Sequence, residues 1–199
     1  TGQSGINAGV AIGNDKLNNV TINLKSDSST GINSGAAVDS RALISSTSGK
    51  HNIIGIKSTG DVTNRGTIEL DSRGSVTGID SGVAASNYGS ITISGYGSNN
   101  VGINGTASAN NYSGGTVTVT GTSNAAGLLS AGTTSNAGTV TVSGTNSAGL
   151  LSAGAASNSG NVTVTGDYSD GINSTNNNGS SSSGTITVTG KRVNGIRGN

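Results

Sequence analysis

Three acidic residues, Glu69, Asp71 and Asp80, are the side chains of this sequence best suited to chemistry on a substrate. Glu69 and Asp71 are two places apart in an alternating segment, which puts both on one face of a strand, about 7 Å apart. Paired carboxylates can cleave glycosidic bonds by acid catalysis with a base or nucleophile. Sugar-cleaving sites usually add aromatic platforms, and this chain has four Tyr but no Trp or Phe. A carbohydrate-active β-helix enzyme is therefore kept as the second of two alternative functions.

Other catalytic, cofactor and metal motifs are weak. The single His, His51, follows a Ser/Gly-rich stretch and is predicted to be an exposed loop residue, and the chain has no Gly-x-Ser-x-Gly elbow. The segment 95–100 lacks the third Gly of a dinucleotide fingerprint. Segment 167–171 offers Asp oxygens but is interpreted as an ordinary turn rather than a calcium site. We therefore expect no enzymatic activity, no cofactor and no metal ion.

A regular set of threonines is the feature that best fits a binding site. If successive strands stack in register, their outward side chains form a grid about 7 Å apart along a strand and about 4.8 Å apart between strands. Threonine is also a common outward residue in any strand, and an earlier repeat carries Glu69 and Asp71 in the same columns. The candidate binding residues are Thr116, Thr118, Thr120, Thr139, Thr141, Thr163, Thr165, Thr185, Thr187 and Thr189.

The element that must position these side chains is a repeat of nearly constant length. A Gly-Ile or Gly-Leu pair recurs with successive steps of 26, 24, 23, 24, 25, 22, 22 and 24 residues. A period between about 20 and 50 residues is typical of solenoids, in which each repeat packs on its neighbours. The pairs begin at Gly5, Gly31, Gly55, Gly78, Gly102, Gly127, Gly149, Gly171 and Gly195.

Each repeat contains the same ordered signals. A triplet of alternating aliphatic and polar residues predicts a half-buried strand; the triplets are centred on Thr21, Leu43, Glu69, Thr92, Thr118, Thr141, Thr163 and Thr187. An Asn four places before the aliphatic start of a strand is expected to form an amide ladder at one corner, from Asn64, Asn87, Asn136 and Asn158. Glycines that close the strands are expected at corners with positive φ: Gly95, Gly121, Gly144, Gly166 and Gly190.

These patterns predict an all-β fold: a single-chain right-handed parallel β-helix (β-solenoid) of about eight turns of about 24 residues. High Gly, Ser, Thr and Asn contents disfavour helix, and short aliphatic side chains can fill a thin core. We expect one β-solenoid domain over residues 1–199, and we expect it to be an interior fragment of a longer protein, because neither end has a capping segment.

Charge is sparse and unevenly distributed. Ten Lys and Arg nearly balance nine Asp and Glu, and the 86 residues from 81 to 166 contain no charged side chain. Phosphate neutralisation needs clustered basic residues, so we do not expect nucleic-acid binding. Lys191, Arg192 and Arg197 are interpreted as a solvated basic face. No apolar run is long enough to span a bilayer, since about 18 residues are needed.

At the level of the whole repeat, the chain resembles the passenger-domain repeats of bacterial type V autotransporters. Segment 136–144 (NAGTVTVSG), followed by 147–150 (SAGL), carries this resemblance, which extends over nearly all residues. The resemblance implies a right-handed parallel β-helix, exported to the bacterial cell surface by an outer-membrane barrel. Family members act as adhesins, aggregation factors or stalks, and some carry proteases or toxins.

We therefore expect a non-enzymatic, extracellular β-solenoid at the bacterial cell surface, acting in adhesion, in self-association (aggregation, biofilm) or as a structural stalk. Its expected partner is a second copy of itself, through lateral contact, or a host surface ligand. The threonine spacing also resembles the Thr-x-Thr ranks of β-solenoid antifreeze proteins, whose hydroxyl and methyl grid matches an ice plane. Ice binding is accordingly the first alternative function.

Overall fold

A computed structural model describes residues 4–13, 18, 20–47, 49–175 and 179–198. Within these residues the chain contains strands and no helix, and the strands stack in three parallel sheets as a β-solenoid of about eight turns of about 24 residues. From the second turn onwards, the chain passes through the three sheets in a fixed order, and we name them sheets A, B and C in that order. The predicted β-solenoid is confirmed.

Each sheet collects one segment of the repeat. Sheet A holds the Gly-Ile and Gly-Leu pairs: Ser4–Ala8 (β1), Thr30–Ser34 (β3), Ile53–Ser58 (β6), Val76–Ser81 (β9), Val101–Gly105 (β12), Ala126–Ser130 (β15), Ala148–Ser152 (β18), Asp170–Ser174 (β21) and Asn194–Gly198 (β24). Sheet B is the shortest: Val38–Ser40 (β4), Val62–Asn64 (β7), Ala84–Asn87 (β10), Ser108–Asn111 (β13), Thr133–Asn136 (β16), Ala156–Asn158 (β19) and Ser181–Ser182 (β22). Sheet C holds the alternating triplets: Thr21–Leu24 (β2), Leu43–Ser46 (β5), Thr67–Ser72 (β8), Ser90–Gly95 (β11), Thr116–Ser123 (β14), Thr139–Thr145 (β17), Asn161–Thr165 (β20) and Thr185–Thr189 (β23).

The core is a thin column of aliphatic side chains between the three sheets. In one turn, Ile79 of sheet A, Ala85 of sheet B, and Ile91 and Ile93 of sheet C are all fully buried. Parallel pairing stacks each of them on its counterpart in the next turn, as Ile79 stacks on Ile103. Small and medium side chains therefore suffice to fill the interior, which explains how a chain with so few aromatic residues folds.

The recurring Gly of sheet A is required by the narrowness of the core. A Cβ atom on Gly78 would lie 2.7 Å from Cγ2 of Ile91 in the opposing sheet C and 2.5 Å from the carbonyl oxygen of Gly102 in the next turn. Real Cβ atoms do not approach other atoms this closely. The Gly of each pair is therefore required where sheets A and C approach each other closely.

A left-handed corner precedes sheet A in nearly every turn. It lies three residues before the recurring Gly, and its φ angles fall between 51° and 62°. Asn tolerates this conformation better than most residues do, and Asn occupies four of these corners. The corner residues are Ser28, Asn52, Asn99, Asn124, Asn146, Tyr168 and Arg192.

The glycines that close the sheet C strands meet the prediction only in part. Gly144, Gly166 and Gly190 have positive φ, as expected. Gly95 and Gly121 do not, so the prediction is wrong for these two. Glycine is required at these two positions because there is no space for a side chain. A Cβ on either residue would press against the side chain of Asn100, at 2.9 Å from Nδ2 in the case of Gly121.

The predicted asparagine ladder is present at the corner between sheets B and C. Nδ2 of Asn64 donates to Oδ1 of Asn87 (2.8 Å), and Nδ2 of Asn136 donates to Oδ1 of Asn158 (2.8 Å). Between them, Asn111 accepts from Asn87 and donates to Asn136, each over 2.9 Å. Asn111 was not among the predicted members, because two extra residues separate it from its sheet C strand.

The residues after the ladder also stack from turn to turn. The rings of Tyr88 and Tyr112 lie 4.4 Å apart and nearly parallel, with an interplanar angle of 3°. The guanidinium carbon of Arg65 lies 4.7 Å from the centre of the Tyr88 ring, and Asp39 pairs with Arg65 over 3.3 Å. In-register pairing of sheet B extends to side chains well outside the core.

The first two strands of sheet C differ from the predicted alignment. The triplets centred on Thr21 and Leu43 were expected to align with the triplet centred on Glu69. In the structure, Asn23 pairs with Ser45 and Ser45 pairs with Glu69, so the alignment moves by two residues. The core positions decide the register, because Ile22 and Leu24 are the buried pair of that strand.

We expect Gly78→Ala to destabilise the protein by roughly 1–3 kcal/mol or more, because the added methyl group would lie 2.5 Å from a backbone oxygen rather than from the end of a flexible side chain. Gly195→Ala is the matched control at the same place of the last repeat, where a Cβ meets no atom within 4 Å. Denaturant unfolding measures both changes. Equal stabilities for the two variants would contradict this account of the recurring Gly.

We expect Asn111→Ala to lower the free energy of unfolding by about 1–3 kcal/mol, because it removes two buried amide contacts of the ladder. The neighbouring Asn110 is half-buried and donates to Ser108 over 3.1 Å. Asn110→Ala should therefore change stability by no more than about 0.5 kcal/mol. Thermal and urea unfolding compare the two; a larger effect at Asn110 would show that the ladder is not a stabilising element.

Candidate functional site

The threonine grid predicted from the sequence is in register on sheet C. Parallel pairing aligns Thr118 with Thr141, Thr163 and Thr187 in one column across β14, β17, β20 and β23. The flanking columns pair in the same way, one beginning at Thr116 and the other at Thr120. The predicted residues therefore come together as one surface.

The surface extends one strand further than the sequence reasoning placed it. Ser90, Thr92 and Ser94 of β11 pair directly with the three outward residues of β14. Two of these three are serines, so the strand does not fit a Thr-x-Thr pattern, although the alternation of Ile91 and Ile93 indicates the outward direction of all three. We define the threonine face as Ser90, Thr92, Ser94, Thr116, Thr118, Thr120, Thr139, Thr141, Ser143, Asn161, Thr163, Thr165, Thr185, Thr187 and Thr189.

Valine pairs beneath the face hold it in place. Val117 and Val119 of β14 are fully buried while Thr116 and Thr120 are exposed. The same alternation repeats in β17 and β20. The rigidity of the core therefore fixes the spacing of the outward side chains.

Hydroxyl groups dominate the chemistry of this face. Fourteen of its fifteen residues are Ser or Thr, and Asn161 is the exception. Thr116 Oγ1 donates to Ser90 Oγ over 3.2 Å; in the part of the chain that the structure describes, the other hydroxyls of the face make no side-chain hydrogen bond within the protein. They are available to water or to an external partner.

The face is electrically neutral. None of its residues is charged, and the nearest charged side chains of sheet C are Glu69 and Asp71 in the preceding strand, β8. With five strands about 4.8 Å apart and five residues of about 3.3 Å each, the face measures about 24 Å by 16 Å, or about 400 Å².

The three carboxylates considered for catalysis do not share a groove. Glu69 and Asp71 line a depression of about 270 Å³ on sheet C. Asp80 lies in β9 of sheet A, where it accepts from Asn104 Nδ2 over 2.9 Å and lies 3.9 Å from Lys57 Nζ. The convergence of all three carboxylates in one groove, which the carbohydrate-active alternative requires, is not found, because the chain turns through a corner between the two sheets.

His51 and the basic residues of the last repeat lie at corners or near the end of the chain. His51 is exposed in a bend, as predicted, and its backbone N–H donates to Oδ1 of Asp27 over 2.9 Å. Lys191, Arg192 and Arg197 are exposed, as expected for a solvated group. Arg197 also lies 3.7 Å from Asp170, a contact that its position in the sequence did not predict.

The described residues contain no group of three or more His, Asp or Glu side chains placed to hold a metal ion. The same part of the chain forms no helix of the length and apolarity needed to cross a membrane.

The fold and the face together define a parallel β-solenoid with a flat, uncharged, hydroxyl-rich flank. Comparisons of the chain with protein-family models, with curated proteins and with solved structures found no match.

Proposed function

We propose that this protein is a non-enzymatic β-solenoid of the bacterial cell surface that acts in adhesion and self-association through its threonine face. The observation that carries the proposal is the in-register set of fifteen outward side chains over five strands, fourteen of them hydroxyl-bearing and none charged. Two such faces can approach each other without electrostatic repulsion, since no like charges oppose one another. Hydroxyls can both donate and accept, so a face of this kind is complementary to a second copy of itself.

The size of the face sets the strength of the contact. An area of about 400 Å² is about half of the roughly 800 Å² per partner that a stable protein–protein interface buries. A single pair of faces should therefore bind weakly. Many copies on one surface act together, and the effective concentration of the second and later contacts then raises the overall strength by orders of magnitude.

Location at the cell surface rests on the resemblance to autotransporter passenger repeats. In such a setting a rod holds the face away from the membrane, which suits adhesion, a stalk or both. The expected partner is a second copy of this chain, and a host surface ligand is the other candidate.

We expect the double variant Thr118→Lys and Thr163→Lys to abolish self-association, because it introduces positive charges into the middle column of the face. The two positions are two strands apart, about 10 Å, so that repulsion within the rod stays modest. Beads coated with the protein and followed by turbidity report the association.

The matched control carries Asn110→Lys and Ser157→Lys on sheet B, in the same two turns. It should fold and aggregate like the wild type, and circular dichroism should show that both double variants keep the fold. Unchanged aggregation of the threonine-face variant, or no aggregation of wild-type beads, would contradict the proposal.

Ice binding is the second candidate function, and the regular two-dimensional spacing of hydroxyls on the face favours it. Thr-x-Thr ranks repeat at the spacing of the solenoid, about 4.8 Å by 7 Å. Ser143 and Asn161 interrupt the ranks, which weakens the match to a uniform lattice.

Thermal hysteresis of the purified 199-residue chain separates the two candidates. Ice binding predicts hysteresis and faceted crystals, both lost in the variant Thr141→Lys with Thr163→Lys. Self-association predicts neither effect, so a clear hysteresis gap would replace adhesion by ice binding as the function of this face.

A further inference from the structure

A groove of about 180 Å³ lies where the left-handed corner meets sheet A. Its corner residues follow the last column of the threonine face by three or four residues in each turn. Its lining includes Asn124, Asn146, Ala148, Leu151, Tyr168 and Asp170. The volume is below the roughly 300–1,000 Å³ of pockets for drug-sized ligands, so the groove fits a ligand of about one ring.

The hollow exists because one column of sheet A changes its side chains. In earlier turns this column contains Thr30, Ile54, Thr77 and Val101. The next two turns have Ala126 and Ala148 in this column, and the turn after them has Asp170. The two small Ala side chains leave an open space next to Asp170. A floor of Ala148 and Leu151 makes this part of the groove apolar.

Asp170 puts a fixed carboxylate at one end of the groove. Its side chain is 5% exposed, Oδ1 accepts from Asn194 over 2.7 Å and Oδ2 accepts from Asn173 over 2.9 Å. The Arg197 guanidinium lies 3.7 Å away and balances its charge. A carboxylate has about four acceptor positions, so Asp170 can still accept from a ligand while the groove stays neutral overall.

The corner residues supply the opposite wall. Nδ2 of Asn146 donates to Oδ1 of Asn124, so the two amides form a short row that offers further donors and acceptors. Tyr168 continues the same column in the next turn, with φ of 58° and 55% of its surface exposed. The Arg192 guanidinium lies over its ring, 5.8 Å from the centre.

Tyrosine at this corner is unfavourable for folding alone. A left-handed conformation costs roughly 1–2 kcal/mol for a residue with a side chain, and Asn, which the two preceding turns use, tolerates it better. Arg192 and Ser28 hold the same conformation in other turns, so the backbone alone does not mark a site. What Tyr168 adds is a ring that lines the groove.

We propose that this groove binds one neutral sugar residue. Sugar hydroxyls donate to the Asp170 carboxylate and exchange hydrogen bonds with the Asn124 and Asn146 amides, while an apolar C–H face of the ring packs on Tyr168 and Leu151. A cation fits poorly, because Arg197 and two amide N–H groups already point at the single carboxylate. The proposal is independent of the threonine face, which lies on sheet C.

The test is an NMR titration of the ¹⁵N-labelled 199-residue chain with the methyl glycosides of glucose, galactose, mannose and N-acetylglucosamine. Binding of at least one glycoside should move the amide signals of residues 124–125, 146–148 and 168–173 and leave in place those of the first column of the threonine face, such as Thr116 and Thr139. Tyr168→Asn should weaken that binding tenfold or more, and Ala148→Leu, which fills the floor, should abolish it.

Two controls keep the outcome decisive. Tyr96→Asn makes the same exchange at a residue that is 78% exposed and lies outside the groove, and it should bind like the wild type. Tyr168→Asn should keep or raise the melting temperature, so that lost binding is not lost folding. No groove signal moved by any of the four glycosides, or movement caused by tetramethylammonium chloride instead, would overturn the proposal.

Discussion

Backbone pairing between successive turns is the constraint on which the rest of this protein depends. Parallel strands fix the turn-to-turn distance at about 4.8 Å, so each side chain stacks on its counterpart in the next turn. Like stacks on like wherever this is favourable: Ile79 on Ile103 in the core, Asn87 on Asn111 at the corner, Thr118 on Thr141 on the face. Because glycine lets sheets A and C approach closely, the interior is filled without large aromatic residues.

The sequence predicted what repeats and failed where the repeat is interrupted. The Gly-Ile period, the sheet C strands and most of the asparagine ladder were predictable, since each recurs at nearly fixed spacing. Asn111 does not fit the spacing because two inserted residues separate it from its strand. The first two sheet C strands are misaligned by the pattern because Val20 and Ala42, two residues before the inward pairs of their strands, also pack into or against the core. Asp80 was grouped with Glu69 by proximity in the chain, which does not reveal the corner between them.

The two candidate sites differ in the same way, since one continues the repeat and the other interrupts it. The threonine face is a continuation of the repeat, so its residues could be identified from spacing, except for the serines of β11. The groove arises where the repeat is interrupted, because Ala126 and Ala148 replace the larger residues of their column and Tyr168 replaces Asn in its own. No spacing rule identifies such a site, because it requires knowing which residues of three successive turns share a column. Surface regularity favours contact with extended partners, whereas a break in a column creates a cavity for a small one.

The recurring Gly residues at 127, 149 and 171 are separated by two consecutive steps of 22 residues, with matching strands in each turn. A duplication or deletion of 22 residues here would join two turns of equal length and the same pattern, and every column would continue through the junction. The length of the rod can therefore change in whole turns by recombination within the gene, without redesign of the core.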